Sequence, residues 1–305
     1  MKNAIKATDA GGFYFDKEMY NMLIGQFLGT SAAEGIPAPF CRCYACEDAR
    51  KNPENQRLRT SFRIDSKMLI DLGADAAVQA VRYGDFTQLE HILITHTHDD
   101  HLCAHMMMQA FWGRDREKTL HYYFTDKAYG IVEKWRNNSW ILKGKVPEWE
   151  NDGIVAFHRL EYFTRYEING IGVTPFEGNH RGNMGENSAM YLLELPDGRK
   201  LFYGLDSGAY TEKTLEKLQE HKIDIFISEV SMGTAGKHPA GQHLCVEEVK
   251  ELAVCLFNQG TLDGSSQLFL THISHRTSHI DMLKAVNDLN FPVKTTVCYD
   301  GIKLL

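Results

Sequence analysis

The chain has 305 residues, 43% of them hydrophobic and 24% charged, the mix usual in globular proteins. Thirty-three Lys and Arg against 40 Asp and Glu leave a formal charge of −7, so nothing draws the whole molecule toward polyanions. Collagen-like, low-complexity and disulfide-stapled miniprotein classes are excluded. So is a helical membrane span, since no window approaches ~18 consecutive apolar residues.

In chain order, residues Met1 to Tyr20 lack the continuous apolar core of a secretory signal. Met22 to Leu28 reads as a strand running into the turn Gly29-Thr30-Ser31. Lys67 to Ile70 runs into Asp71-Leu72-Gly73, and His91 to Ile94 into a histidine-rich stretch. Residues 106–165 hold all four Trp (Trp112, Trp135, Trp140, Trp149) with weak periodicity, and read as an aromatic-rich insertion lying over the sheet edge. Ala189 to Leu195 and Lys200 to Leu205 flank Pro196-Asp197-Gly198, which predicts a hairpin. Thr211 to Glu220, Val246 to Phe257 and Met282 to Leu289 have helical spacing. Ile223 to Ile227, Gln267 to Leu270 and Thr295 to Tyr299 are the remaining strands. Such alternation predicts an α/β protein with a sheet-based core, as a single domain over 1–305.

The best basic cluster is Arg50, Lys51, Arg57, Arg59, Arg63 and Lys67. It reads as a solvated loop and strand entry, with a small phosphate as the alternative. The histidines are more informative. Five of the 14 (His91, His96, His98, His101, His105) fall within residues 91–105, where even spreading would put fewer than one. In Thr95-His96-Thr97-His98-Asp99-Asp100-His101, an extended H-x-H turns two imidazoles the same way, and the following D-H adds a carboxylate and a third imidazole. Nitrogen and oxygen donors suit borderline divalent ions such as Zn, Mn or Fe. A His-rich surface loop would have no reason to sit at a strand's C-terminal end with this spacing.

Seven Cys is an odd number, and Cys41, Cys43 and Cys46 lie too close together for a disulfide framework. Without an export signal, that spacing points to a metal site and a reducing, cytoplasmic location. Cys103, Cys245, Cys255 and Cys298 have no partners at ligand spacing and read as core residues.

The H-x-H-x-D-H run resembles the signature of the metallo-β-lactamase fold superfamily. The resemblance implies a four-layer αβ/βα sandwich, two mixed sheets packed face to face with helices outside. It extends to Phe176-Glu177-Gly178-Asn179-His180, Tyr203-Gly204-Leu205-Asp206-Ser207-Gly208 and Phe269-Leu270-Thr271-His272, in family order. By it, His96, His98 and His180 would hold one ion, Asp100, His101 and His272 a second, and Asp206 would bridge them. Asp71 matches a carboxylate that hydrogen-bonds into the ligand shell. Leu28-Gly29-Thr30 and Cys41-Arg42-Cys43-Tyr44-Ala45-Cys46 are similar to the phosphodiesterases associated with carbon–phosphorus lyase. Those complete a structural zinc with a His three residues beyond the last catalytic His, here His275. Leu102-Cys103-Ala104-His105-Met106 departs from the Gly-containing turn that follows the signature in many relatives.

The resemblance implies two divalent ions in the active site, one structural zinc, and a hydroxide generated between the paired ions. The expected activity is hydrolysis of a small or cyclic phosphodiester, with Asp100 and His243 catalytic. His243, in Gly241-Gln242-His243, would protonate the leaving group, and His238 is its rival. Expected partners are a small-molecule substrate, with no nucleic-acid polymer and no membrane, and a homodimer is compatible. The alternatives are a lactone or thioester hydrolase, a cofactor-biosynthesis protein similar to the pyrroloquinoline quinone pathway's member of this fold, or a non-catalytic binding protein. A redox diiron protein is disfavoured, because His98 stands where those relatives carry Glu.

Overall fold

A computed structural model describes residues 25–112, 118–137 and 145–304. Met22 to Ile24 of the first expected strand, and Trp140, lie outside the described residues. One sheet orders six strands sequentially: β1 (Gln26–Gly29), β2 (Ser61–Arg63), β3 (Met68–Ile70), β4 (His91–Leu93), β5 (Leu120–Thr125) and β6 (Val155–Leu160). The first three pair antiparallel, and β3 to β6 run parallel. A second sheet holds β7 (Tyr166–Ile168), β8 (Ile171–Arg181), β9 (Asn187–Glu194), β10 (Lys200–Gly204), β11 (Ile225–Glu229), β12 (Gln267–Thr271) and β13 (Lys294–Val297), also in sequential order. It is antiparallel from β7 to β10 and parallel from β10 to β13.

The strands' period of two divides their side chains between cores. Phe27, Phe62, Met68, Ile70 and Leu93 of the first sheet meet Val173, Tyr191, Leu201, Tyr203 and Ile227 of the second. Their chain neighbours point the other way. Leu28, Leu69 and Ile92 face α2 (Ala76–Tyr83), α3 (Ala104–Trp112) and α4 (Gly130–Asn137), through Ala76, Met107, Val132 and Trp135. Phe202, Phe226 and Leu268 face α7 (Val246–Asn258) and α8 (His279–Leu289). In α7 the buried Val246, Val249, Ala253 and Leu256 form the core-facing stripe. Two mixed sheets face to face, with helices outside, are thus the four-layer αβ/βα sandwich expected from the sequence. The other α-helices among the described residues are α1 (Tyr44–Lys51), α5 (Lys145–Asn151) and α6 (Glu212–Leu218).

Local signals set the element ends. Thr211 accepts the Thr214 amide and starts α6, and Ser278 accepts the Asp281 amide and starts α8 three residues before the expected Met282. Three expectations need correction, the first being Cys255, which is exposed on α7 and is not a core residue. Residues 106–165 are not an insertion over a sheet edge, because they supply β5 and β6 to the sheet itself. Trp135 is buried in the core beneath α4, whereas Trp112 is exposed. The basic cluster is solvated only in part, since Arg50 and Lys51 are exposed but two other members are not. Arg63 is buried and donates to the carbonyls of Tyr83 and Gly84 at the end of α2, and Arg57 is buried against Thr30 and His279.

Candidate metal centre

The predicted metal-binding residues of the active site gather at one end of the sandwich, mostly where strands become loops. Asp71 follows β3, and His96 to His101 follow β4. Asp206 follows β10, and His272 follows β12. His180 instead lies inside β8, beyond an irregularity between Glu177 and Arg181. Asp71, Asp206 and His272 have φ of 65°, 41° and 56°. Left-handed backbone at three such non-glycine positions is strain concentrated at one site. Close approach of the loops also needs glycine. A Cβ on Gly73 would lie 1.8 Å from the Asp100 carbonyl oxygen, and one on Gly208 would lie 2.5 Å from that of Gly241.

Two donor groups form. His96 Nε2 lies 2.9 Å from His98 Nδ1, which is 3.1 Å from His180 Nε2. Beside them, His101 Nε2 is 3.1 Å from Asp100 Oδ2 and 2.9 Å from Asp206 Oδ2, and His272 Nε2 is 3.0 Å from Asp206 Oδ1. Within each group the ligand atoms lie within 4.8 Å of one another. Asp206 reaches both, since its Oδ2 is also 3.5 Å from His96 Nε2.

Outer partners decide which ring atoms face inward. Thr95 Oγ1 donates to Asp71 and so accepts from His96 Nδ1, at 3.1 Å. His101 Nδ1 donates to Asp71 Oδ2 at 2.6 Å. Thr60 Oγ1 donates to the Ser31 carbonyl and accepts from His272 Nδ1 at 2.8 Å. Each Nε2 therefore turns a lone pair inward, the arrangement that raises ligand basicity. Lone pairs of His272 Nε2 and Asp206 Oδ1 confront each other, and among the described residues the buried His101 Nε2 and Asp206 Oδ1 have no hydrogen-bond partner. Such a cluster needs positive charge within it, and a divalent pair fits. The titrations agree in direction. Burial works against charge on His101, but Asp100 and Asp71 outweigh it and hold the ring well above its ordinary range. Burial would raise Asp206, yet with protons standing on them in place of an ion, His272 and His101 keep it well below the usual carboxylate range.

A cavity of about 280 Å³ opens over the cluster, and His238, His243, Glu34 and Arg276 also line it. None of residues 102 to 106 lines it, so the departure after the signature does not shape this cavity. His243 Nδ1 lies 3.3 Å from both Glu229 Oε2 and Asp206 Oδ1. Burial disfavours its charged form, but these two carboxylates push it up to about 10. Its ring is 4.7 Å from that of His180, and His180, Asp206 and His243 also bring ligand atoms within 4.8 Å. His238 instead spends Nδ1 on its own loop, accepting from Ala240 and Gln242 amides.

Cys41, Cys43, Cys46 and His275 bring their ligand atoms within 4.8 Å, with Cys43 Sγ 3.4 Å from His275 Nδ1. Cys43 caps α1 and Cys46 lies in its first turn, so the helix start sets the spacing. Burial pushes the Cys46 thiol up to about 12, a cost that a bound cation would remove. Three S and one N donors fit a tetrahedral ion.

Several supporting residues had no sequence signal. Glu229, fully buried at the end of β11, accepts from the Gly208 amide and from Ser231 Oγ, joining the Asp206 turn to the His243 loop. Thr60 and Glu186 were likewise not foreseen.

A family profile described as "Beta-lactamase superfamily domain" matches residues 66–290. The chain belongs to the metallo-β-lactamase superfamily. No curated protein sequence matches it. Among solved structures, this superfamily member is similar to a diphosphatase from the PhnP family, at TM-score 0.67 and 21% identity over 92% of this chain and 96% of that one. The short form of human tRNase Z is similar at TM-score 0.60 and 16% identity, over 92% and 98%. Zn(2+)-bound PqqB from Methylobacterium extorquens is similar at TM-score 0.60 and 14% identity, over 92% and 99%. At these identities the likeness speaks for the fold, that of the superfamily's metal-dependent hydrolases. Among the described residues no helix is long and apolar enough to cross a membrane.

Proposed function

We propose that this protein is a metal-dependent phosphodiesterase acting on small or cyclic phosphodiesters. The observation that carries the reading is Asp206, whose one carboxylate reaches His96 of one donor group and His101 and His272 of the other. His96, His98 and His180 would hold one divalent ion, and Asp100, His101 and His272 a second, with Asp206 between. Zn, Mn and Fe all suit these donors. Cys41, Cys43, Cys46 and His275 would hold a structural zinc. When bound, such a pair supplies charge neutralisation for the phosphoryl oxygens and acidifies a water.

The residues supply the rest. Asp71, Thr95 and Thr60 keep the imidazoles in one tautomer, and Asp100 closes the second donor group beside the cavity. Attack by the water oxygen forms one P–O bond as the P–O bond to the leaving oxygen breaks. His243, held at Nδ1 by Glu229, offers Nε2 to the leaving oxygen and gives it a proton. The water's proton returns to His243 through solvent, which closes the cycle. His238 is less suited because its loop holds it. The cavity volume favours a small substrate. The similar structures named a diphosphatase and a tRNase Z support phosphorus over a carbonyl centre. Seven unpaired thiols support a reducing compartment such as the cytoplasm.

The test is a substrate screen of the full chain with its metal content measured. Turnover of bis-p-nitrophenyl phosphate or 2′,3′-cyclic nucleotides, lost in Asp206→Asn together with active-site metal, is the expected result. Hydrolysis of lactones or thioesters with no phosphodiester turnover would overturn it, as would metal bound only through the Cys residues.

A further inference from the structure

The His96, His98 and His180 group is assembled across the sandwich, since its first two members follow β4 of one sheet and the third lies on β8 of the other. Ligand atoms supplied by two separate sheets stay together only if something joins the backbones that carry them. Besides the Ala189 amide, which donates to the Thr95 carbonyl at 2.7 Å, one such joint is at Thr97, the residue between His96 and His98. Its amide and hydroxyl both donate to Glu186 Oε1, at 2.8 and 2.6 Å. Its carbonyl accepts from Asn183 Nδ2 at 2.8 Å. Both partners lie in the turn between β8 and β9, immediately beyond His180 on the chain.

Glu186 is an expensive residue to place there, being fully buried. Among the described residues it forms no ion pair. The donors to its carboxylate are the two groups of Thr97 and, at 2.8 Å, the amide of Met184 in its own turn. A buried carboxylate without a cation costs free energy unless hydrogen bonds replace its water, and two of these three tie the turn to Thr97. The turn is shaped for this. A Cβ on Gly182 would lie 2.1 Å from Glu186 Oε1, so glycine at that position lets the carboxylate fold back over the turn. Among the described residues nothing comparable links this turn to Asp100, His101 or His272. The second donor group is held instead by Asp71 and Thr60.

We propose that Glu186, assisted by Asn183, is a positioning residue for one half of the metal centre. By clamping Thr97 from the β8–β9 turn it sets the separation of His96 and His98 from His180, and it leaves the other half and the Cys site untouched. The inference rests on the two-ion reading above and deepens it. It predicts that damage to the clamp makes loading of the centre unequal.

Cobalt(II) titration of the full chain, stripped of metal and reconstituted, tests this without an activity readout. Sulfur-to-cobalt absorption reports the Cys site separately from the weaker visible bands of the His and Asp sites. In Glu186→Gln, one of the two His/Asp equivalents should bind cobalt at least tenfold more weakly, while the other equivalent and the Cys site keep their affinities. Asn183→Ala removes an exposed side chain and its one bond to Thr97, and should weaken the same equivalent by a smaller factor. His180→Ala and His272→Ala identify the halves: the clamp variants should match the equivalent lost in His180→Ala. Equal weakening of both equivalents, weakening of the one lost in His272→Ala, or no change in either clamp variant would overturn the proposal. Wild-type uptake confined to the Cys site would overturn the two-ion reading itself.

Discussion

Asp71 Oδ2 accepts a 2.6 Å hydrogen bond from His101 Nδ1, while its Oδ1 accepts the Thr95 amide at 2.8 Å. One buried carboxylate at the end of β3 thus holds both ends of the β4 loop, from the residue before His96 to His101. The left-handed backbone of Asp71 is tolerated by Asn, so Asp71→Asn tests the side chain with little change in backbone preference. An amide can accept from Thr95 but presents N–H to His101, which forces the ring to turn a proton inward. Metal affinity measured against a competing chelator should fall roughly 10- to 100-fold. Unchanged affinity would show that the tautomer is set elsewhere.

Arg276 follows His275 directly and lines the cavity with an exposed side chain. Among the described residues its guanidinium has no ion-pair partner, and only its amide is engaged, with Ser274 Oγ. An anionic substrate would meet that charge in the ground state and the transition state alike. Arg276→Ala should therefore raise KM for bis-p-nitrophenyl phosphate about tenfold with kcat within about twofold. Steady-state kinetics separate this from a fall in kcat alone, which would assign Arg276 a different part.

The Cys cluster and the catalytic cluster share one short connector, His272-Ile273-Ser274-His275, tied to the β1 end by the Ser31–Ile273 bridge. Cys46→Ser should remove one of about three metal equivalents and lower the melting temperature, because binding to such a site is folding free energy. Elemental analysis and a thermal melt on the same sample check both. Loss of all metal would mean that the two clusters are one cooperative unit.

Burial pushes Asp300 up to about 6, against hydrogen bonds from the Leu58 amide and Thr30 and the charges of Arg57 and Arg82. A carboxyl raised above its unfolded value stabilises the fold fully below about pH 4, and that contribution is lost as pH rises through about 6. The integrated effect is about 3 kcal/mol. In Asp300→Asn, urea stability relative to wild type should therefore rise between pH 4 and pH 7. A difference independent of pH would show that Asp300 ionises normally.

Much of the centre was legible because it is local. A strand places alternate side chains on one face, so the H-x-H spacing and the following D-H imply converging donors before any fold is known. His180, Asp206 and His272 were reachable only through their likeness to family motifs. Glu186 and Glu229 carry no motif, since an acidic residue in a polar turn looks solvated until the fold buries it. Strand β5 was missed for a related reason. Parallel strands covered on both faces lose the alternation that marks a strand, and His121-Tyr122-Tyr123-Phe124 reads as an aromatic run, although Tyr123 faces one core and Tyr122 and Phe124 the other. Arg57 and Arg63 looked like surface charge because sequence cannot show that backbone carbonyls wait for them in the interior.

The alternation of strand and helix patterns and the clustered histidines by themselves determined an α/β protein with a nitrogen- and oxygen-rich metal site after a strand. They also marked a separate Cys site and, through the resemblance, the superfamily. Tertiary structure alone decided which atoms face inward and that Glu186 joins the two sheets at Thr97. The physical reason is distance along the chain. Ligands a few residues apart are placed by backbone geometry, whereas those some 80 to 180 residues away meet them because two sheets bury their apolar faces against each other.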